Sequence, residues 1–387
     1  MDRRAFVGLM AIETTLAFGN TFAASFNIIY LLKVLEMPLW SAPIYLLMGF
    51  GISTVVSLWM SWKPHLDPRN AMIVGLAFLS IEYTLFLFLE DGWLLVMIVG
   101  VAFGLFYPLF WTPFNILMAR LTDKADRGVT YGAFFLVWPA VAFVAPLLGG
   151  LVIGFVSYDV LYVLGLAMIV TTALLVVAYR NYIPKDQVMK ITLKEIGTRN
   201  AISALGEGGF EGIFWIDYVL VAYYFSQDEV SLGTLFSLFG LSAGIMGIIF
   251  GKISDKIQNR ALFLRASVVA SIPCIVLIYL VSTIEGYAVA MGLLEFASFM
   301  FPVFLFAILT DRLEDAKNDS VLTREYILDI GRTISIAIMV VLLYLDVTPQ
   351  ACFLIAVPFL VMGLAAHERK KGPVKTLPTA GHADQMH

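Results

Sequence analysis

The sequence predicts an all-α membrane protein of twelve transmembrane helices in two pseudo-symmetric six-helix bundles, with both termini cytoplasmic. Three observations predict it. Of 387 residues, 60% are hydrophobic and only 14% charged, and mean hydropathy is +0.87; a water-soluble chain carries about a quarter charged residues. Apolar runs of the roughly 20 residues needed to cross a bilayer recur along the whole chain. Lysine and arginine collect in alternate connections between those runs, as the bias of basic residues toward the cytoplasm requires.

The spans read from these runs are 5–32, 38–62, 71–90, 92–118, 129–156, 159–180, 200–225, 229–251, 261–283, 286–309, 327–345 and 348–366. "MDRRAFVGLMAIE" has the charged start of a signal peptide, but the apolar stretch runs on to Leu35 without a small-residue cleavage pattern, so it reads as a retained first span. With the N-terminus inside, the cytoplasmic connections receive Arg3 and Arg4, Lys63 and Arg69, Arg120, Lys124 and Arg127, and a basic run from Arg180 to Arg199. Further along they receive Lys252, Lys256 and Arg260, then Arg312, Lys317 and Arg324. The outer connections hold only Lys33, against acids such as Glu36, Glu90, Asp159, Glu229 and Asp346. A miscounted span would scramble this alternation.

The connection "RNYIPKDQVMKITLKEIGTRN" divides the chain into a bundle at 1–180, a cytoplasmic linker at 181–199, a second bundle at 200–367 and a disordered tail at 368–387. The halves echo each other. "ARLTDK" begins at 119 and "AILTDR" at 307, and Asp67 and Asp255 are separated by the same 188 residues. Parallel repeats of this kind place a binding site at mid-membrane between the halves.

Several function classes are excluded. Cys274 and Cys352 both lie in apolar runs, which argues against a disulfide framework. None of the four histidines lies in a span, so no metal site is expected, nor any cofactor. Basic residues form no nucleic-acid patch, and no nucleophile–base constellation suggests an enzyme. The partners expected are the lipid bilayer, protons and a small solute, with the protein monomeric.

"GKISDKIQNR" (251–260) carries Gly251, Asp255, Lys256 and Arg260 in the connection after the eighth span. This pattern resembles the signature of the major facilitator superfamily. The matching first-half segment, "SWKPHLDPRN", keeps Asp67 and Arg69 but lacks the glycine, whereas in the family the complete copy more often lies in the first half. "VWPAVAFVAPLLGGLV" (137–152) resembles the glycine–proline motif of the superfamily's proton-coupled exporters. Pro146, Gly149 and Gly150 match it, and Ala145 stands where glycine is usual. Proline removes a helical hydrogen bond and glycines permit close packing. The resemblance implies alternating access, with the charged loop residues latching one conformation and spans 1, 4, 7 and 10 lining a central cavity.

The acids within the spans are Glu13, Glu82, Glu207, Glu211, Asp217, Glu295 and, near an inner edge, Asp329. Charge at that depth is costly and marks function. Arg332 is the one basic residue at comparable depth; three residues after Asp329, it forms a local pair suited to an inner gate. The others have no evident cation. Glu207 and Glu211 stand one helical turn apart, on a stripe continuing through Trp215 and Tyr218, and are expected to titrate as one coupled pair. Beside them Ala204, Gly208 and Gly212 form a small-residue stripe for close helix packing. Asp217 points elsewhere. Glu13, Asn20 and Asn27 recur by sevens on the first span; Glu295, Ser298 and Pro302 share a face of the tenth; Gly104, Pro108, Trp111 and Asn115 share one of the fourth. The resemblance turns Glu13, Glu207, Glu211 and Glu295 toward the cavity and makes Glu82 a structural acid.

These residues imply a secondary transporter in the plasma membrane of a microbe, moving a small cationic or neutral solute by proton antiport, in the direction of efflux. Glu207, Glu211, Glu295 and Glu13 would exchange protons, and Trp215, Tyr218, Trp111, Asn115 and Asn20 would contact the solute. Lack of a mid-membrane lysine or arginine other than Arg332 disfavours anions. The alternatives are a proton symporter or facilitator for a neutral solute such as a sugar, a metal-ion carrier, and a non-transporting scaffold.

Overall fold

In hydrocarbon every backbone N–H and C=O must find its partner within the chain, and a helix does this locally. Long helices accordingly dominate the computed structural model of the chain, which describes residues 3–63, 65–121, 127–183, 185, 187–254, 260–315 and 321–367. The helices are α1 (Arg3–Ala24), α2 (Asn27–Lys33), α3 (Ile44–Trp62), α4 (Pro68–Phe88), α5 (Gly92–Leu121), α6 (Arg127–Phe155), α7 (Tyr158–Ala178) and α8 (Leu193–Ile196). They continue with α9 (Thr198–Phe225), α10 (Glu229–Ser254), α11 (Arg260–Leu280), α12 (Ile284–Ser298), α13 (Met300–Asp315), α14 (Val321–Tyr344), α15 (Pro349–Cys352) and α16 (Ala356–Gly363). Two short strands, β1 (His65–Leu66) and β2 (Gln187–Val188), pair antiparallel.

Among the described residues, 10 helical stretches are long and apolar enough to cross a membrane. The 28-residue α9 is also long enough, but its acids dilute its hydropathy, and the apolar Pro349–Gly363 stretch is shorter. The first predicted span is broken at Ser25–Phe26 between α1 and α2, the tenth at Phe299, and the twelfth passes through a 3-10 turn at Phe353–Ile355. The eleventh begins at Val321, six residues before the expected start at 327. Arg324 and Glu325, assigned by sequence to a cytoplasmic connection, therefore lie inside a helix and are buried. Both charges are paired there, which is what lets a helix continue through them. Asp255 and Lys256 of the signature and the tail 368–387 lie outside the described residues; Gly251 falls in α10, and Arg260 opens α11.

Helices preceding residue 180 pack chiefly on one another, as do those following residue 198. Two broad pairings join the sets, α6 with α10 and α3 with α14. At the α6–α10 seam, Gly150 lies against the Glu229 carbonyl and Gly233 against the Pro146 carbonyl, so Pro146 and Gly150 of the glycine–proline stretch take part in close backbone approach there. Gly149 instead faces the Phe22 carbonyl of α1. At one end of the seam Lys33 Nζ bonds Glu229 Oε1 at 2.7 Å and the Gln227 carbonyl at 2.9 Å, and the Tyr158 hydroxyl bonds the same carboxylate at 3.1 Å.

The described residues of the segment joining the sets bond to both. Beyond the β1–β2 ladder, Ile191 N–H donates to Ser61 Oγ of α3 at 3.1 Å, and Thr192 N–H to Thr323 Oγ1 of α14 at 2.8 Å. Met189 is fully buried between them, packed with Met60, Ala71, Leu109, Ile116, Val321 and Leu322.

Asp67 caps α4, accepting from Arg69 N–H at 3.0 Å and from the Arg69 guanidinium at 2.9 and 2.6 Å. These bonds, the side-chain one foremost, hold its carboxyl below its ordinary value. Asp67→Ala is expected to cost about 1 kcal/mol. The sign follows from the lowered value: the contribution is complete above about pH 4, the ordinary aspartate range, and fades as pH falls through the folded value. Thermal melts of Asp67→Ala and the wild-type chain at pH 7 and pH 3 check this, the difference narrowing at the lower pH.

Candidate functional site

A cavity of about 550 Å³ lies among α1–α6, α9, α10 and α12–α14, each of which contributes to its lining. Its wall is largely aromatic, with Phe103, Phe106, Tyr107, Trp111, Trp138, Phe210, Phe214, Trp215 and Tyr218 among the lining residues. All five residues expected to contact solute line it: Trp215, Tyr218, Trp111, Asn115 and Asn20. Of the four acids expected to exchange protons, Glu207, Glu211 and Glu295 line it as well. Glu13 does not; it is fully buried beside Trp138, whose ring belongs to the wall.

The charges are arranged differently from the sequence reading in three respects. First, Glu207 and Glu211 are not without cations. Arg324 bonds Glu207 through Nη2 and Glu325 through Nη1, the latter at 2.8 Å. Arg332 bonds Glu211 Oε2 through Nε at 3.0 Å and Nη2 at 2.5 Å, and Asp329 Oδ1 through Nη1 at 2.7 Å. The two neighbouring carboxylates of α9 are thus each turned to a separate arginine of α14, rather than to each other. Second, the Asp329–Arg332 pair is not a local feature of a helix start. Asp329 also accepts from Ser53 of α3, and Arg332 links α14 to α9, so the pair spans three helices. Third, Glu82 of α4 is not remote from the cavity; it contributes to the wall, where Asn27 Nδ2 bonds its Oε1 at 3.2 Å.

Aromatic rings complete the Arg332 environment. Its guanidinium carbon lies 4.8 Å from the Trp215 ring centre and 5.2 Å from those of Phe50 and Tyr107. Such faces attract a cation electrostatically. Arg324 stands 5.1 Å from the Phe306 ring centre. Asn115 of α5 reaches Glu325 at 3.4 Å, so the network touches α3, α5, α9 and α14 together.

Glu325, Asp329 and Arg332 occupy one α14 face at i, i+4 and i+7, and Arg324 stands two turns before Arg332. That periodicity was the available signal for Arg324 and Glu325. Dense surrounding charge, "TDRLEDAKNDSVLTRE", hid it by making the whole segment resemble a solvated connection. Glu295, by contrast, faces the cavity from α12 with no charged partner among the described residues. No group of three or more His, Cys, Asp or Glu side chains suited to a metal occurs among the described residues.

Residues 64–199 match the family model described as Major Facilitator Superfamily. Similar solved structures include the human organic anion transporter MFSD10 (TETRAN), at TM-score 0.66 and 11% identity over 94% of this chain and 98% of that one. They also include a POT family transporter in complex with a thioalcohol-conjugated peptide, at TM-score 0.68 and 12% identity over 93% of this chain and 95% of that one. A peptide transporter POT in complex with sulfate matches at TM-score 0.68 and 12% identity over 93% of both chains. No curated protein matches the chain by sequence. At these identities the likeness establishes the fold alone: the all-helical architecture those structures share.

Proposed function

We propose that the chain is a major facilitator superfamily member of twelve spans with cytoplasmic termini, acting as a proton-coupled secondary transporter of a small cationic or neutral, partly apolar solute, by antiport in the direction of efflux. The observation that carries this reading is the charge balance of the cavity. Glu207, Glu211, Glu325 and Asp329 are matched by two arginines, and Glu295 and Glu82 by none. Although Arg324 is a second buried cation, both arginines are already engaged by carboxylates, so the net field still favours a cation over an anion. A carboxylate neutralised by either a proton or a cationic solute, but not by both, supplies the competition on which antiport depends. In this reading Glu295 carries that exchange, and the Glu207–Arg324 and Glu211–Arg332 pairs couple it to rearrangement of α9 against α14. The aromatic wall suits an apolar body attached to the cationic group.

The test is transport in proteoliposomes under an imposed pH gradient, with a panel of organic cations, sugars and organic anions. Antiport moves a cation against the proton flux. Glu295→Gln is expected to weaken apparent affinity for that cation about tenfold, the equivalent of roughly 1.4 kcal/mol. Glu207→Gln combined with Glu211→Gln is expected to abolish proton-driven flux. Flux in the same direction as protons would establish symport instead, and proton flux unchanged in the double variant would sink the coupling assignment.

A further inference from the structure

The break between α1 and α2 has a polar partner in α4. Asn27, the first residue of α2, is 1% exposed, and Glu82 is 2% exposed. Asn27 Nδ2 donates to Glu82 Oε1 at 3.2 Å, and Tyr45 of α3 lines the same stretch of wall. Two acceptors of this same pair, Glu82 Oε2 and Asn27 Oδ1, are buried without any partner. Both residues line the cavity, and no cation among the described residues lies beside Glu82. Ser25 at the break gives its hydroxyl to the Thr21 carbonyl at 2.7 Å and so supplies no donor to them.

Buried acceptors without donors are rare and costly. A proton on Glu82 would satisfy both only by being donated across to the Asn27 carbonyl. A small inorganic cation would also satisfy both and leave Glu82 ionised, since an amide carbonyl and a carboxylate are hard oxygen ligands. Interrupted membrane helices are where transporters gather such ligands, and irregular backbone is tolerated at that depth beside a cavity. Burial of Glu82 and Asn27 leaves no room for the substituents of an organic ammonium group. We infer that Glu82 and Asn27 supply two oxygen ligands of a binding site for one sodium-sized monovalent cation, in the cavity wall contributed by α2 and α4 beside Tyr45. The site is distinct from the arginine–carboxylate network, and it does not depend on which ion drives transport.

The experiment is thermal unfolding of the purified full-length protein at pH 7.5 without solute, in NaCl or choline chloride at equal ionic strength. Sodium at ten times its dissociation constant is expected to raise the midpoint by roughly 2–4 °C, with a hyperbolic dependence on concentration. Glu82→Gln and Asn27→Ala should each reduce the response at least threefold, whereas Asn27→Asp, which keeps an oxygen, should retain it. Should Glu82→Gln fail to fold, calorimetric titration of the wild-type chain with NaCl provides the second measurement, with one site expected. No sodium-specific shift, or an equal shift in Glu82→Gln and Asn27→Ala, overturns the site. A midpoint indifferent to sodium but responsive to pH through Glu82 would assign the niche to a proton and overturn it equally. Failure of pH-driven transport, with the sodium response intact, would instead count only against the proposed function.

Discussion

Arg332→Ala is expected to lower stability by about 3–5 kcal/mol, the cost of removing one partner from a buried ion pair. Arg332 is 2% exposed and satisfies two carboxylates through three hydrogen bonds. Truncation would leave Asp329, fully buried, and Glu211, at the cavity edge, facing each other without a cation. It would also empty the space between Trp215, Phe50 and Tyr107, whose faces the guanidinium covers. Arg332→Lys keeps the charge but not the fork: a point ammonium cannot engage Glu211 and Asp329 with the same geometry or stack on Trp215. A lysine variant intermediate between wild type and alanine is therefore expected. Replacing the acids as well, in Arg332→Ala with Glu211→Gln and Asp329→Asn, should recover a large part of the loss, because the penalty comes mainly from stranded charge. Reversible unfolding in bicelles checks the series. Arg332→Ala within 1 kcal/mol of wild type, or a triple variant no better than the single one, would falsify the assignment.

The same network shows what the sequence could and could not disclose. Composition and the alternation of basic loops identified a membrane protein of many helices, because lipid imposes length and polarity on each segment separately. Trp215, Tyr218, Trp111, Asn115 and Asn20 were legible as cavity residues because each lies on a stripe defined within its own helix. Arg324 and Glu325 were not, because the arguments locating spans treat charge as a mark of water. A charge cancelled by a residue 117 positions away, as Arg324 is by Glu207, is invisible to any window along the chain. That Glu82 lines the cavity was hidden for a related reason. The resemblance did not count its span among those lining the cavity, while Asn27, just past the break in the first span, meets it. Such pairings between distant segments are properties of the packed helices alone.

Gly208→Val should be the most damaging single substitution away from the charges. A Cβ at Gly208 would run into the Leu328 backbone carbonyl, and one at Gly331 into that of Leu205. Obstruction by backbone cannot be relieved by a rotamer change, so α9 and α14 would have to separate. Overpacking a core ordinarily costs about 1–3 kcal/mol, and the rigidity of the obstacle places this substitution at or above that upper end. The damage would not stop at packing. Gly208 lies one residue from Glu207 and three from Glu211, and their arginines sit on the opposing helix, so separating the helices stretches both ion pairs at once. Gly208→Ala asks for a smaller displacement and should fall between wild type and valine. Unlike Arg332→Ala, the valine variant should not be rescued by neutralising the acids, since the obstruction remains. Unfolding midpoints and the monodisperse yield of Gly208→Ala and Gly208→Val, each with and without Glu207→Gln, decide the matter. A valine variant with wild-type stability would show that α9 and α14 do not meet backbone to backbone, and the close placement of carboxylate and guanidinium that depends on that contact would fall with it.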